Sequence, residues 1–592
     1  MKNTTLRTRC GAFVLGLLTI LTTHADEDAL MQALRAELER SLDELQMEDM
    51  EKPYFVAYTV HDTERLGAAA SFGALLPSSE SRSRRLSVEV RVGDPLFDNT
   101  NFRSMGSFSP GFGGGRAIPL KDNVVEIRRQ VWLATDAAYK QALQQLANKR
   151  ATLQNETRTE ELADLAPQEP FTHTEEASRT LPDLDDLQDL ARDLSALFRD
   201  MPHIADSQVS TAATYQRTYY VNSGGSSFIR NDPSASLIVR AQAQAADGTI
   251  LHDFVVENGR TWDEIGNPDD LASEVKDMGK AIGERMGAPK LPDRYIGPVL
   301  FEGQAAAELF AQVLAPRLIG IRMPDTESRF ASMMGQAGNP FLDKLGARVL
   351  PRFLSVTDDP TLTGEGFVGG YAVDDEGVPA SPTTLVENGI LKTLLTSRNP
   401  VRDIERSTGN RRGGGPAPSN LVVTARRGMT RDELVDELKL LMEEREAEFG
   451  IVVRRLGNPL FKPSNGSGMS ITFGGPQQQQ SSVEPALLAY KVFPDGREEL
   501  LRTAEFAGIA DAVFKEIVAV SDSATNYTSL YTPMSFGGLA TIISFGGAGF
   551  ASSFGQAVTV SVPDLLFEEI SVRNPTGNVP HLPVAGHPFF EE

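Results

Sequence analysis

Two β-prone runs, TTLV (383–386) and ILKTLL (390–395), are separated only by Glu387-Asn388-Gly389. This is the strongest local constraint in the chain. The tightest hairpin turn needs positive φ at both central residues, which asparagine tolerates and glycine accepts freely. The segment is therefore expected to be an antiparallel hairpin whatever surrounds it. A second turn signal, Asp375-Glu376-Gly377, lies just upstream and, with Asp374, sets three carboxylates side by side. Turns call for solvated residues that tolerate tight backbone, so composition alone makes these acids structural.

At 592 residues the chain is too long for one typical domain. Leu30, Leu34, Leu38, Leu42 and Leu45 place an amphipathic helix over 29–47. Strands are expected at 53–60 and 84–92, and a helix over 131–153. An acidic, proline-bearing stretch, 159–186, reads as a linker, and 187–198 as a short helix. Strands return at 214–222, 235–245 and 250–256, the last two joined by Asp247-Gly248, before a helix at 268–286. GAPKLPDRYIGP (287–298) is the best domain boundary. Beyond it, 304–315 reads as an alanine-rich helix. Thr430 and Glu433 form a capping-box signature, and IVVRRL (451–456) reads as a strand. Glycine-rich 106–116 and low-complexity 474–482 read as loops.

Lys2, Arg7 and Arg9 precede an apolar run from Gly11 to Thr22, and Thr23-His24-Ala25 resembles a cleavage site. Residues 1–25 are expected to be an export signal, which would leave a periplasmic or secreted protein. The run is short for a membrane span. Cys10 is the only cysteine, so a mature chain has no thiol for catalysis or metal ligation. A formal charge of −23 argues against nucleic acid, and Arg411-Arg412 and Arg426-Arg427 are too short to offset it.

A zinc-protease helix needs two histidines one turn apart and a glutamate to activate water. The histidines beyond the signal, His61, His173, His203, His252, His581 and His587, include no such pair. His581 and His587 share a proline-rich loop and read as a loose surface pair. Asp358-Asp359 with Asp374-Asp375-Glu376 offer oxygen donors at a spacing that fits no calcium loop. There is no G-x-S-x-G elbow and no phosphate loop. Ser273 and Lys276 match S-x-x-K, but on an ordinary polar helix.

FLSVTDDPTLTG (353–364), VDDEGVPASPTTLVENGILKTLLTSR (373–398) and STGNRRGGGPAPSN (407–420) together resemble the C-terminal signature of the TldD/PmbA family. The resemblance covers about 291–592. It implies an α+β fold, with an N-terminal α/β domain over 26–290 and a mostly antiparallel β domain with a few helices over 291–592. It also implies dimers around an internal chamber. The TldD branch is a zinc peptidase of unstructured peptides, using HExxxH on a C-terminal-domain helix and a distant cysteine. The PmbA branch, also called TldE, lacks those ligands and partners it. Here the corresponding helix is 302–316, with Phe310, Ala311 and Ala315 at the motif positions and no histidine between His252 and His581.

The resemblance thus implies a zinc-less, PmbA-like subunit with no cofactor of its own. It would present unstructured peptides to a zinc-bearing TldD-like partner, or pair with itself. Asp374, Asp375, Glu376, Asn388, Gly389, Asn410 and Asn420 match signature positions and are implied to shape the chamber and position peptide backbone. Glu308 is expected to be a solvated helix residue. Two alternatives stand beside this reading. One is a metallopeptidase with atypical ligands such as His581 and His587; the other is a stand-alone peptide-binding scaffold.

Overall fold

The computed structural model describes residues 28–103, 115–154, 162–291, 294–326, 339–364, 366–461, 483–531 and 556–575. The expected export signal, the 474–482 loop, most of the 106–116 loop, His581 and His587 lie outside these residues.

The N-terminal half is an antiparallel meander with helices on one face. Strands β1 (Pro53–Ser71) and β2 (Ala74–Asp94) form a long hairpin. Beyond β1 come β3 (Asp206–Asn222), β4 (Ser227–Gln244) and β5 (Ile250–Gly259). Strand alternation sorts the side chains. Val56, Tyr58, Val60, Tyr219 and Val221 pack on α1 (Ala29–Glu44) and α2 (Val124–Leu153). Further along the same face, Val209, Leu237 and Val239 pack with residues of α3 (Leu184–Ala196) and α4 (Pro268–Gly287). The opposite face carries Phe55, Ala57, Tyr220 and Phe228, and these meet Val373 of the C-terminal half.

The C-terminal half is built on one mixed sheet. Its spine is β15 (Gln556–Arg573), flanked by β6 (Tyr295–Phe301), β10 (Asn420–Ala425) and β14 (Ile517–Tyr531). Beyond β6 lie β11 (Gly450–Leu456) and β12 (Ala486–Val492); beyond β10 lies β7 (Leu354–Asp358), then β8 (Thr383–Glu387) and β9 (Ile390–Leu391). Most pairings are antiparallel, but β6–β11 and β10–β15 are parallel. Alternation again decides the packing. Val299 and Phe301 face α5 (Gln304–Val313), whereas Leu300 faces α6 (Arg431–Glu444). The Thr430–Glu433 capping box opens α6 as the sequence indicates.

The Asn388-Gly389 turn joins β8 to β9 with φ of 52° and 79°, the double positive φ of a tight hairpin. A Cβ on Gly389 would lie 2.3 Å from the Leu350 carbonyl oxygen. Gly389→Ala is therefore expected to cost about 1–3 kcal/mol in strain, read as a loss of unfolding free energy in urea. An unchanged stability would contradict the tight turn.

Residues 162–186, the described part of the expected 159–186 linker, are not a free tether. Asp164 is fully buried, 2.6 Å from the Lys149 ammonium. The Ala166 N–H donates to the Arg398 carbonyl at 2.7 Å, and the Arg398 guanidinium donates back to the Ala166 carbonyl at 3.0 Å. Acidity and prolines suggested a solvated tether, but these residues stitch both halves together.

Candidate functional site

The loop 371–378 lies against the helix-free face of the N-terminal sheet. Gly377, at φ 79°, packs closely on Tyr220 and Ser226. Arg230 of β4 reaches across the seam. It donates to the Val373 carbonyl, to Asp375 Oδ1 at 2.9 Å, and to Asp232 at 2.7 Å. Burial pulls the guanidinium pKa down, but the charges of Asp232 and Asp375 outweigh it and leave it above its ordinary value. Burial likewise pushes Asp232 up, and Arg230 overrides it. His61 stands nearby, its pKa lowered chiefly by burial against the opposing pull of Asp375 and Asp232.

The acids are not the solvated turn residues that composition indicates. Asp374 is fully buried, and Glu376 nearly so. Asp374 accepts N–H bonds from Glu376 and Val378 at 2.9 Å and from Arg411 at 3.1 Å. Burial, then the Glu376 charge, pushes its pKa up to about 7. Glu376 accepts from the Arg398 N–H at 2.7 Å and from the Arg411 side chain at 3.3 Å. Asp375 also accepts from Gly413 N–H at 2.8 Å. The carboxylates thus close one loop onto another.

Asn410 joins this network from beneath. Its amide donates to Asp358 at 2.7 Å, and Ser419 donates to the same carboxyl through backbone and hydroxyl. Burial raises Asp358 to about 6. Asn420 ties Gly369, Asp359 and Leu362 together, its side chain accepting from the first and donating to the others. Asn388 and Gly389 stand apart, their bonds going to Ser355, Leu354, Val349 and Leu350. Of the seven signature residues, Asp375 reaches the N-terminal half through Arg230, Asp374, Glu376, Asn410 and Asn420 brace the loops behind it, and the other two make a separate turn. Sequence reasoning missed Arg230, Arg398 and Arg411. Arg230 left one usable signal: it alternates with Phe228 and Asp232 on one strand face.

Helix α5 is buried on nearly every side. Phe310 packs edge-on to Phe514, ring centroids 6.1 Å apart, and Ala315 is buried. Phe310, Ala311 and Ala315 offer an aromatic ring and two methyl groups, none of which can ligate zinc. The residues at the motif positions do not fit the metal. Glu308 corrects the expectation of a solvated residue. It is 1% exposed, and its Oε1 accepts from Gln312 and Asn458, each at 2.9 Å. Among the described residues its Oε2 makes no well-formed hydrogen bond, although the Tyr527 hydroxyl interacts with the carboxyl. Burial raises its pKa to about 7.

A carboxyl whose folded pKa lies above its unfolded value favours the folded state less as pH rises. For Glu308 the penalty is absent below its ordinary 4.5 and complete above about 7. It is expected to reach on the order of 3 kcal/mol. Glu308→Gln removes this titration, while Asp358 and Asp374, shifted the same way, remain. Between about pH 5 and about pH 7.5, urea unfolding should show the variant losing less stability than the parent. Parallel pH profiles would contradict the buried titration.

Residues 293–455 match the PmbA/TldA metallopeptidase C-terminal domain. The C-terminal half thus carries a TldD/PmbA-family domain. It is 35% identical over 142 residues to a metalloprotease of Methanocaldococcus jannaschii, covering 22% of this chain and 31% of that protein. It is 29% identical over 210 residues to a metalloprotease of Methanothermobacter thermautotrophicus, covering 34% and 42%. The match thus spans less than half the length of either relative. TldE from Thermococcus kodakarensis has a similar fold, with a TM-score of 0.56 at 15% identity over 92% of this chain and all of that one. A putative modulator of DNA gyrase from Thermotoga maritima gives 0.53 at 15% identity, over 88% and 96%. These likenesses carry the α+β fold across both halves.

Proposed function

We propose that this protein is an exported, non-hydrolytic TldD/PmbA subunit that binds unstructured peptides for a zinc-bearing TldD-like partner. The observation that carries the proposal is α5, where the positions implied to hold zinc ligands are packed into the core. The seven signature residues are then largely architectural: Asp375 joins the two halves, four brace the loops behind it and two make a hairpin turn.

Peptide binding has its own support in β14. Among the described residues it pairs with β15 alone, apart from one bridge between Ser521 and Met429. Asp522 to Ala524 and Asn526 are exposed. The Asp522 N–H already bonds the Met429 carbonyl and the Ser523 carbonyl accepts from Ser521, but beyond Ala524 such an edge offers backbone donors and acceptors to an extended chain in a sequence-tolerant way. α5 packs against the same strand.

The test uses residues 26–592 and fluorescent unstructured peptides, with binding read by anisotropy and cleavage by mass spectrometry. The expected result is binding without cleavage, weakened by N-methylating alternate peptide residues. Adding an HExxxH-bearing family member should then give cleavage. Chelator-sensitive cleavage by this chain alone would sink the proposal, as would a lack of peptide binding.

A further inference from the structure

Away from β14, at the edge of the domain seam, a recess of about 230 Å³ opens between the 175–180 stretch, β4 and the segment after β5. A cavity of about 150 Å³ accommodates a benzene ring, so this one has room for a small molecule. Its lining is polar: Glu175, Ser178, Thr180, Asn231, Arg260 and Glu264 contribute, with Pro233 and Thr261 completing the wall.

Arg260 sets the chemistry. Its side chain makes one hydrogen bond, from Nη1 to the Gly370 carbonyl at 2.9 Å. Among the described residues no carboxylate pairs with its guanidinium, although the protein is strongly acidic. The two nearby acids are occupied elsewhere. Glu264 accepts from the Arg260 backbone N–H at 2.8 Å and from the Thr261 hydroxyl at 3.3 Å. Glu175 faces His173 at 3.1 Å and accepts from Asn231 N–H at 2.8 Å. Each carboxylate still has lone pairs to offer.

A guanidinium without a carboxylate is a fork for a ligand's carboxylate. Two carboxylates on the same wall disfavour a plain anion and favour an ammonium group. We propose that this recess binds a free α-amino acid. Arg260 takes its carboxylate, Glu175 and Glu264 take its ammonium, and the Ser178 and Thr180 hydroxyls meet a small polar side chain. This is a second site, independent of peptide binding on β14.

Titration calorimetry on residues 26–592 with L-alanine, L-serine and L-glutamine tests it, with their amides, the decarboxylated amines and inorganic phosphate as comparisons. At least one amino acid should bind, and its amide and amine should each bind about tenfold more weakly or worse, as losing a charge-assisted hydrogen bond requires. Arg260→Gln should weaken binding about as much, and Arg260→Lys less. Circular dichroism checks that both variants are folded, and Glu264→Gln tests the ammonium contact should they fail to fold. No binding at millimolar amino acid, equal binding of acid and amide, or preferred binding of phosphate would each overturn the proposal.

Discussion

Arg230→Ala is expected to lower the unfolding free energy by about 3–5 kcal/mol, the usual consequence of deleting one member of a buried ion pair. The side chain is only 8% exposed and serves three acceptors at once, two of them carboxylates. Its removal strands Asp375 against a desolvated seam and leaves the Val373 carbonyl without that donor. The surface ion pairs set no comparable precedent, since exposed pairs contribute about 0–1 kcal/mol. Arg230→Lys should recover only part of the loss, because a single ammonium cannot span the same fork.

The same substitution should also uncouple the domains. The only tryptophans, Trp132 and Trp262, both lie in the N-terminal half, so their fluorescence reports that half alone, whereas circular dichroism reports both. In the parent protein the two urea transitions should coincide, and in Arg230→Ala they should separate. A loss below about 1 kcal/mol with coincident transitions would show that Arg230 does not bolt the seam.

What the sequence revealed and what it hid follow from one physical distinction. Local signals were legible: the leucine spacing of α1, the Asn388-Gly389 turn, the capping box of α6 and the Asp247-Gly248 hairpin each depend on neighbours in sequence. α2 begins seven residues earlier than its alanine pattern indicated, because Val125 and Trp132 are exposed there and blur the apolar stripe. Strand alternation tells which residues share a face but not what covers it. His61, Arg230 and Asp232 share a polar strand face that the C-terminal half covers. Asp374, Glu376 and Glu308 were misread because each takes at least one donor from far along the chain, Arg411, Arg398 and Asn458 respectively. The family signature located the acidic loop without disclosing that its main charged partner lies in the other half.

Phe310→Ala carries the second large effect, an expected loss of about 3–5 kcal/mol. The ring is 2% exposed and begins an aromatic chain, Phe310 to Phe514 to Phe567 to Phe301, each step edge-on or nearly so. Deleting it empties a volume that β15 and α5 cannot close, because both are pinned by sheet pairing and by the Glu308 and Gln312 contacts. Urea unfolding measures the loss, and peptide binding below the transition should persist, since β14 keeps its free edge. Loss of binding with stability intact would instead make Phe310 part of a working site. Restoring histidines at 310 and 315 should not create a zinc centre. Imidazoles there would project into aromatic and aliphatic packing that supplies neither an open coordination position nor polar partners for the second ring nitrogen. Such a variant is expected to lose stability and gain no stoichiometric zinc by elemental analysis. Tight zinc binding would mean that α5 retains the geometry of a metal helix beneath its hydrophobic side chains.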